Sequence, residues 1–131
     1  NNLCTRADIF HLAGGLHAQS GGLFHQIRQA DGIFCSNESA TYGMLLALRQ
    51  EALAGKIRFV GFDASPPLVK ALADGEIDAL VVQNPRRMGY MGVEALVKHL
   101  NGETVEPVVD TGAVLVTPEN MNDPDIKPLL Q

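Results

Sequence analysis

From Asp31 onward, short continuous apolar runs alternate with longer stretches in which apolar positions recur every three or four residues. Gly32-Ile33-Phe34-Cys35-Ser36 is an apolar run ending in polar Asn37-Glu38, the pattern of a buried strand. Ala40, Met44, Ala47 and Leu48 follow at helical spacing, with Gly55 as a natural stop. Ile57 to Phe62 reads as a second strand. Ser65 then predicts an N-cap, Pro66 suits the first helical position, and Leu68, Ala71 and Leu72 form one face before Gly75. Ile77 to Val82 is a third strand, ending at Gln83-Asn84-Pro85. A longer helix is predicted from Arg86 to Leu100, with Met88, Met91, Gly92, Ala95, Leu96 and His99 on its inner face and Gly102 closing it. Gly112 to Val116 is a fourth strand, and Pro118, Pro124 and Pro128 make the tail irregular.

This alternation predicts an α/β fold with an open parallel sheet and right-handed crossovers. The strands are apolar on nearly every residue, as in sheets with helices on both faces. Residues 1–30 stand apart as an N-terminal segment. They carry three of the four histidines and two Gly-Gly pairs, with weak periodicity. Leu23, Ile27 and Ala30 line a short helix leading into the first strand.

Composition narrows the function classes. A chain of 131 residues suffices for one domain with its own core, and 46% apolar with 19% charged residues is globular. A net charge of −5 without a Lys/Arg cluster argues against a nucleic-acid partner, leaving small molecules or proteins. No apolar run approaches the roughly 20 residues of a membrane span, and NNLCTRADIF lacks the basic-then-apolar pattern of a signal peptide. Cys4 and Cys35 have no metal-ligand spacing, and two free thiols are favoured over a disulfide. His11, His17 and His25, six and eight residues apart, share no face of a helix or strand, which speaks against a metal site. Gly14-Gly15 and Gly21-Gly22 fit neither a dinucleotide fingerprint nor a P-loop. Ser20 lacks the glycines of a nucleophile elbow, and no histidine is placed to activate Cys35. No catalytic constellation emerges, and no cofactor is implied.

The candidate chemistry lies at strand ends. Open parallel sheets bind ligands at the carboxyl ends of their strands, and three ends here are polar: Ser36-Asn37-Glu38, Asp63-Ala64-Ser65 and Gln83-Asn84. Together they offer donors and acceptors suited to hydroxyl groups, and Phe62 offers an apolar ring to the C–H face of a sugar. A plainer reading competes. Asn37 or Ser39 serves as a helix cap, Asp63 forms an Asx-turn, and Phe62 is core.

The segments IFCSNESATYG, KIRFVGFDASPPLVKALADGEIDALVVQNPRRMGYMGVEAL and DTGAVLVTPEN, in that order, resemble the C-terminal part of periplasmic sugar-binding proteins of ABC importers, the ribose-binding-protein-like group. The likeness runs from about Asp31 to the end, roughly three quarters of the chain. It implies a type I periplasmic-binding fold, truncated here, whose two lobes close on a sugar. Carried over by position, Asn37, Phe62, Asp63 and Gln83 contact that sugar. Asp63 accepts from two ring hydroxyls, Asn37 and Gln83 bond others, and Phe62 packs on the ring. Glu38 serves the helix start, where negative charge is favoured.

The resemblance further implies that residues 31–83 form the C-terminal lobe, that 84–110 would pack on the N-terminal lobe through a hinge at Asn84-Pro85, and that 111–131 are a return strand and tail. The chain would then hold about half a binding site. Met88, Met91 and Leu96 would be exposed unless the chain dimerises through the 86–100 helix or rearranges. The expected role is a solute-binding protein, or a piece of one, with no enzymatic activity. Its partners are a small sugar and, in the full-length protein, an ABC permease, outside the cytoplasm. The alternatives are the effector domain of a sugar-responsive transcriptional repressor, which shares this fold, and an enzyme on a doubly wound sheet.

Overall fold

The structure is a computed structural model that describes residues 27–130. The predicted features of Cys4, the three N-terminal histidines, the Gly-Gly pairs, Ser20 and Leu23 lie outside those residues. Seven elements follow in chain order: β1 (Gly32–Phe34), α1 (Glu38–Gln50), β2 (Arg58–Phe62), α2 (Pro66–Ala73), β3 (Ala79–Gln83), α3 (Pro85–Leu100) and β4 (Ala113–Val116). A 3-10 turn, Lys127–Leu130, is the last of the described elements.

The sheet order is β1-β2-β3-β4. β1 pairs parallel with β2, and β2 with β3, in the register Ile33↔Phe59, Gly61↔Leu80 and Phe62↔Val81. Strand residues alternate between faces. Ile33, Phe59, Gly61, Leu80 and Val82 therefore share one face, and all of them are buried. α1 contributes Met44, Leu45 and Leu48 to that core and α2 contributes Leu68, Ala71 and Leu72. Phe34, Val60, Phe62, Val81 and Gln83 share the other face and are only half-buried.

Local signals explain the helix limits. Asn37 caps α1 and Pro66 opens α2, and Gly75 follows α2 in the left-handed region at φ 75°. α1 stops at Gln50, five residues short of Gly55. The N–H groups of Leu53 and Ala54 turn back to the carbonyl of Leu48 at 2.7 and 3.2 Å, and Leu53 packs against the core.

β4 departs from the predicted parallel arrangement. It runs antiparallel to β3, with Gln83 opposite Ala113 and Leu80 opposite Val116, so the sheet is mixed. A parallel return needs a crossover helix packed on the sheet. α3 is not such a helix, since none of its residues is buried. The chain leaves the sheet along α3, makes the connection over 101–112, and re-enters beside β3 from the opposite direction. Only Val116 of β4 reaches the core.

Candidate functional site

Three parallel strands end at one edge, and the four sequence candidates stand on it. Asn37 follows β1, Phe62 ends β2, Asp63 comes next, and Gln83 ends β3. All four are half-buried.

Asp63 has the unusual backbone. Its φ of 65° lies in the left-handed region, which Asp and Asn tolerate better than most residues carrying a Cβ. Its N–H donates to the Val81 carbonyl at 2.9 Å, so the pairing of β2 with β3 continues through it. Its side chain meets Gln83, whose Nε2 donates to Oδ1 at 3.2 Å. Among the described residues no hydrogen bond occupies Oδ2. Within that set one carboxylate oxygen is oriented by Gln83, and the other is left for a further donor. The simple Asx-turn reading accounts for neither feature.

Asn37 is indeed a cap. Its Oδ1 accepts from the Ala40 N–H at 2.8 Å and from the Ser39 hydroxyl at 3.0 Å. With both lone pairs of that oxygen engaged, the amide NH₂ is the group it can offer a ligand. Capping and ligand contact thus use different ends of one side chain.

Phe62 is not beneath the helices. It lies on the half-buried face with Val60, Val81 and Gln83 and is itself half-buried. The edge therefore combines an apolar ring, an open carboxylate oxygen and amide groups from three strands. That set matches a small polyhydroxylated molecule.

Sequence reasoning missed Thr41, the buried polar residue among those described. Its Oγ1 donates to the Asn37 carbonyl at 2.8 Å and accepts the Phe62 N–H at 2.9 Å. Its methyl group lies against Gly61, where an added Cβ would stand 2.2 Å from Thr41 Cγ2. Glycine inside an otherwise apolar strand is the signal that could have revealed this close approach.

The opposite end of the sheet is held by charge. Asp78 accepts the Phe59 N–H at 2.7 Å and pairs with Arg58 at 2.6 Å, while Glu76 pairs with Arg49 at 2.5 Å. These carboxylates fasten β2 and α1 to the turn before β3. Cys35 is a buried thiol, pushed up to about 11 by loss of solvation, and so is a poor nucleophile. Asn84 and Pro85 open α3, with Asn84 Oδ1 accepting the Arg87 N–H at 2.9 Å. Beside them is a cavity of about 510 Å³, lined by Arg86, Arg87, Tyr90 and Leu129 among others. None of the four candidates lines it.

The family model described as "Periplasmic binding protein domain" matches residues 20–104. The ribose import binding protein of Salmonella typhimurium is 39% identical over 74 residues, covering 56% of this chain and 25% of that protein. Two solved structures are similar over 83% of this chain. One is an ABC transporter solute-binding protein from Agrobacterium vitis with bound D-fucose, at TM-score 0.76, 38% identity and 38% coverage of that chain. The other is a carbohydrate transporter solute-binding protein from Agrobacterium radiobacter in complex with D-arabinose, at TM-score 0.76, 39% identity and 37% coverage. The match thus spans about a quarter of the curated relative's length and under two fifths of either solved structure.

Proposed function

This chain belongs to the periplasmic binding protein family, and from that premise we propose that it carries the C-terminal half of a sugar-binding site. The observation that carries this reading is the left-handed Asp63, with Gln83 orienting one carboxylate oxygen next to the half-buried Phe62. A carboxylate that accepts from sugar hydroxyls makes charge-assisted bonds, the stronger kind. Asn37 and Gln83 add amide donors, and Phe62 packs on the apolar face of the ring.

In the whole protein, residues 31–83 are the sugar-gripping C-terminal lobe and 84–110 pack on a second lobe. Residues 111–131 return to the first lobe, and closure traps the sugar for an ABC permease outside the cytoplasm. No step in this role is enzymatic. The exposed Met88, Tyr90, Val93 and Leu96 of α3 are consistent with such packing, or with pairing of two copies where the second lobe is missing.

With one side of the site supplied, binding to this chain should be weak. A dissociation constant in the millimolar range, about −4 kcal/mol, is expected rather than a micromolar one. Titrating the isotope-labelled chain with D-ribose, D-fucose, D-arabinose and D-allose, and following the amide signals of Asn37, Asp63 and Gln83, tests this. Saturable shifts confined to that edge support the reading. Shifts absent for all four sugars, or equal in Asp63→Ala, overturn it.

A further inference from the structure

We propose that Thr41 is the positioning residue that sets the spacing between Asn37 and the Phe62-Asp63 pair, and so governs how well this edge grips a sugar it does not itself touch. β1 leaves the sheet after Phe34. The last ladder bond it gives β2 is Cys35 N–H to the Val60 carbonyl at 3.1 Å. The next donor along β2, the Phe62 N–H, has lost its neighbouring strand. A buried N–H left in that state is strongly disfavoured. Thr41 Oγ1 takes its place from α1 at 2.9 Å. The same hydroxyl donates its proton to the Asn37 carbonyl at 2.8 Å.

One oxygen therefore ties the main chain of Asn37 to that of Phe62 across the gap where β1 and β2 separate. The tie is rigid. Thr41 is fully buried, and its methyl group fills the space left by the absent side chain of Gly61. Asn37 cannot move relative to Asp63 without breaking one of these bonds or opening that packing. Two groups that grip one small ligand must keep their separation to within a fraction of an ångström. Valine at this position preserves the packing and the Thr41 N–H bond to the Asn37 carbonyl at 3.0 Å but removes the hydroxyl that links that carbonyl to Phe62. Serine preserves the bridge but removes the methyl group.

Wild type, Thr41→Val and Thr41→Ser are compared in amide hydrogen exchange without ligand and in D-ribose titrations, with urea unfolding measured on each. Thr41→Val should raise the exchange rate of the Phe62 amide about tenfold, as expected for the loss of a part-buried hydrogen bond. It should also weaken D-ribose binding at least about fivefold, by a similar share of that loss. Thr41→Ser should restore both readouts to within about twofold, even if its overall stability falls, because the hydroxyl bridge remains. The affinity prediction rests on the sugar reading above, whereas the exchange prediction does not. Where D-ribose gives no response, the same comparison is made with D-fucose, D-arabinose and D-allose. A wild-type chain deaf to all four refutes the sugar reading and with it the effect on grip. Unchanged Phe62 exchange in Thr41→Val refutes the tie itself. Loss of binding in Thr41→Ser equal to that in Thr41→Val assigns the effect to packing and also overturns the proposal.

Discussion

Replacing Asp63 separates what its backbone costs from what its side chain does. At φ 65° a residue with a Cβ is disfavoured by roughly 1–2 kcal/mol relative to glycine, and Asp sits at the low end of that penalty. The side chain offsets this with the hydrogen bond from Gln83 at 3.2 Å, worth about 0.5–1.5 kcal/mol in a half-buried setting. Asp63→Gly removes both effects, and because they oppose one another it should unfold within about 1 kcal/mol of wild type. Asp63→Ala loses the bond but keeps the strain, so it should fall about 1–2 kcal/mol below Asp63→Gly. In a chain of 131 residues each kcal/mol moves the melting temperature by about 3–5 °C, well within reach of thermal or urea unfolding followed by circular dichroism.

Sugar binding should behave differently from stability. Neither variant keeps the carboxylate, and losing one partner of a charged hydrogen bond costs roughly 2–5 kcal/mol, enough to push millimolar binding below detection in both. A protein as stable as wild type that no longer binds assigns the aspartate to the ligand rather than to the turn. Equal unfolding midpoints for the glycine and alanine variants would refute the strain estimate. Sugar binding that survives in Asp63→Ala would refute the functional half.

Three further outcomes are expected. Gly61→Ala places a methyl group 2.2 Å from Thr41 Cγ2 and 3.0 Å from Leu80 Cδ2, so it should destabilise by about 1–3 kcal/mol. That cost should shrink in the Thr41→Ala background, and a double-mutant cycle with no coupling would contradict the contact. The Cys35 thiol, pushed up to about 11 from 9.0, stays protonated in the fold after the unfolded chain has begun to ionise. Above pH 9 the unfolded state binds fewer protons, so stability should fall between pH 9 and 11 by at most about 1.4 kcal/mol per pH unit. Urea midpoints that decline equally in Cys35→Ala would show another group responsible. Finally, the exposed apolar side chains of α3 should make the isolated chain self-associate, and Val93→Lys with Leu96→Lys should return it to a monomer in sedimentation velocity. An unaltered wild-type monomer at high concentration would count against pairing through this helix.

The elements from β1 to β3 and their common edge were legible because each depends on local chemistry: apolar runs, Asn37 and Pro66 at helix starts, Gly75 after a helix. The direction of β4 was not. Its apolar pattern is the same for either orientation, and the outcome depends on whether α3 folds back onto the sheet, which is a tertiary matter. At the site, the residue types at 37, 62, 63 and 83 could be read in advance. The left-handed backbone of Asp63 could not, because Phe-Asp-Ala-Ser is compatible with several turns. Thr41 was hidden in the same way, since within α1 a threonine among alanines and leucines resembles any tolerated helix position until Gly61 is brought opposite it.

α3 is sixteen residues long, about 24 Å end to end, none of its residues is buried, and it leaves the sheet at Asn84, directly after Gln83. It is therefore a lever with its pivot beside Gln83. A turn of about 10° there carries the far tip through roughly 4 Å, by the geometry of a 24 Å arm. On the sugar reading proposed above, a sub-ångström adjustment of Gln83 would thus become a displacement large enough for another protein surface to feel.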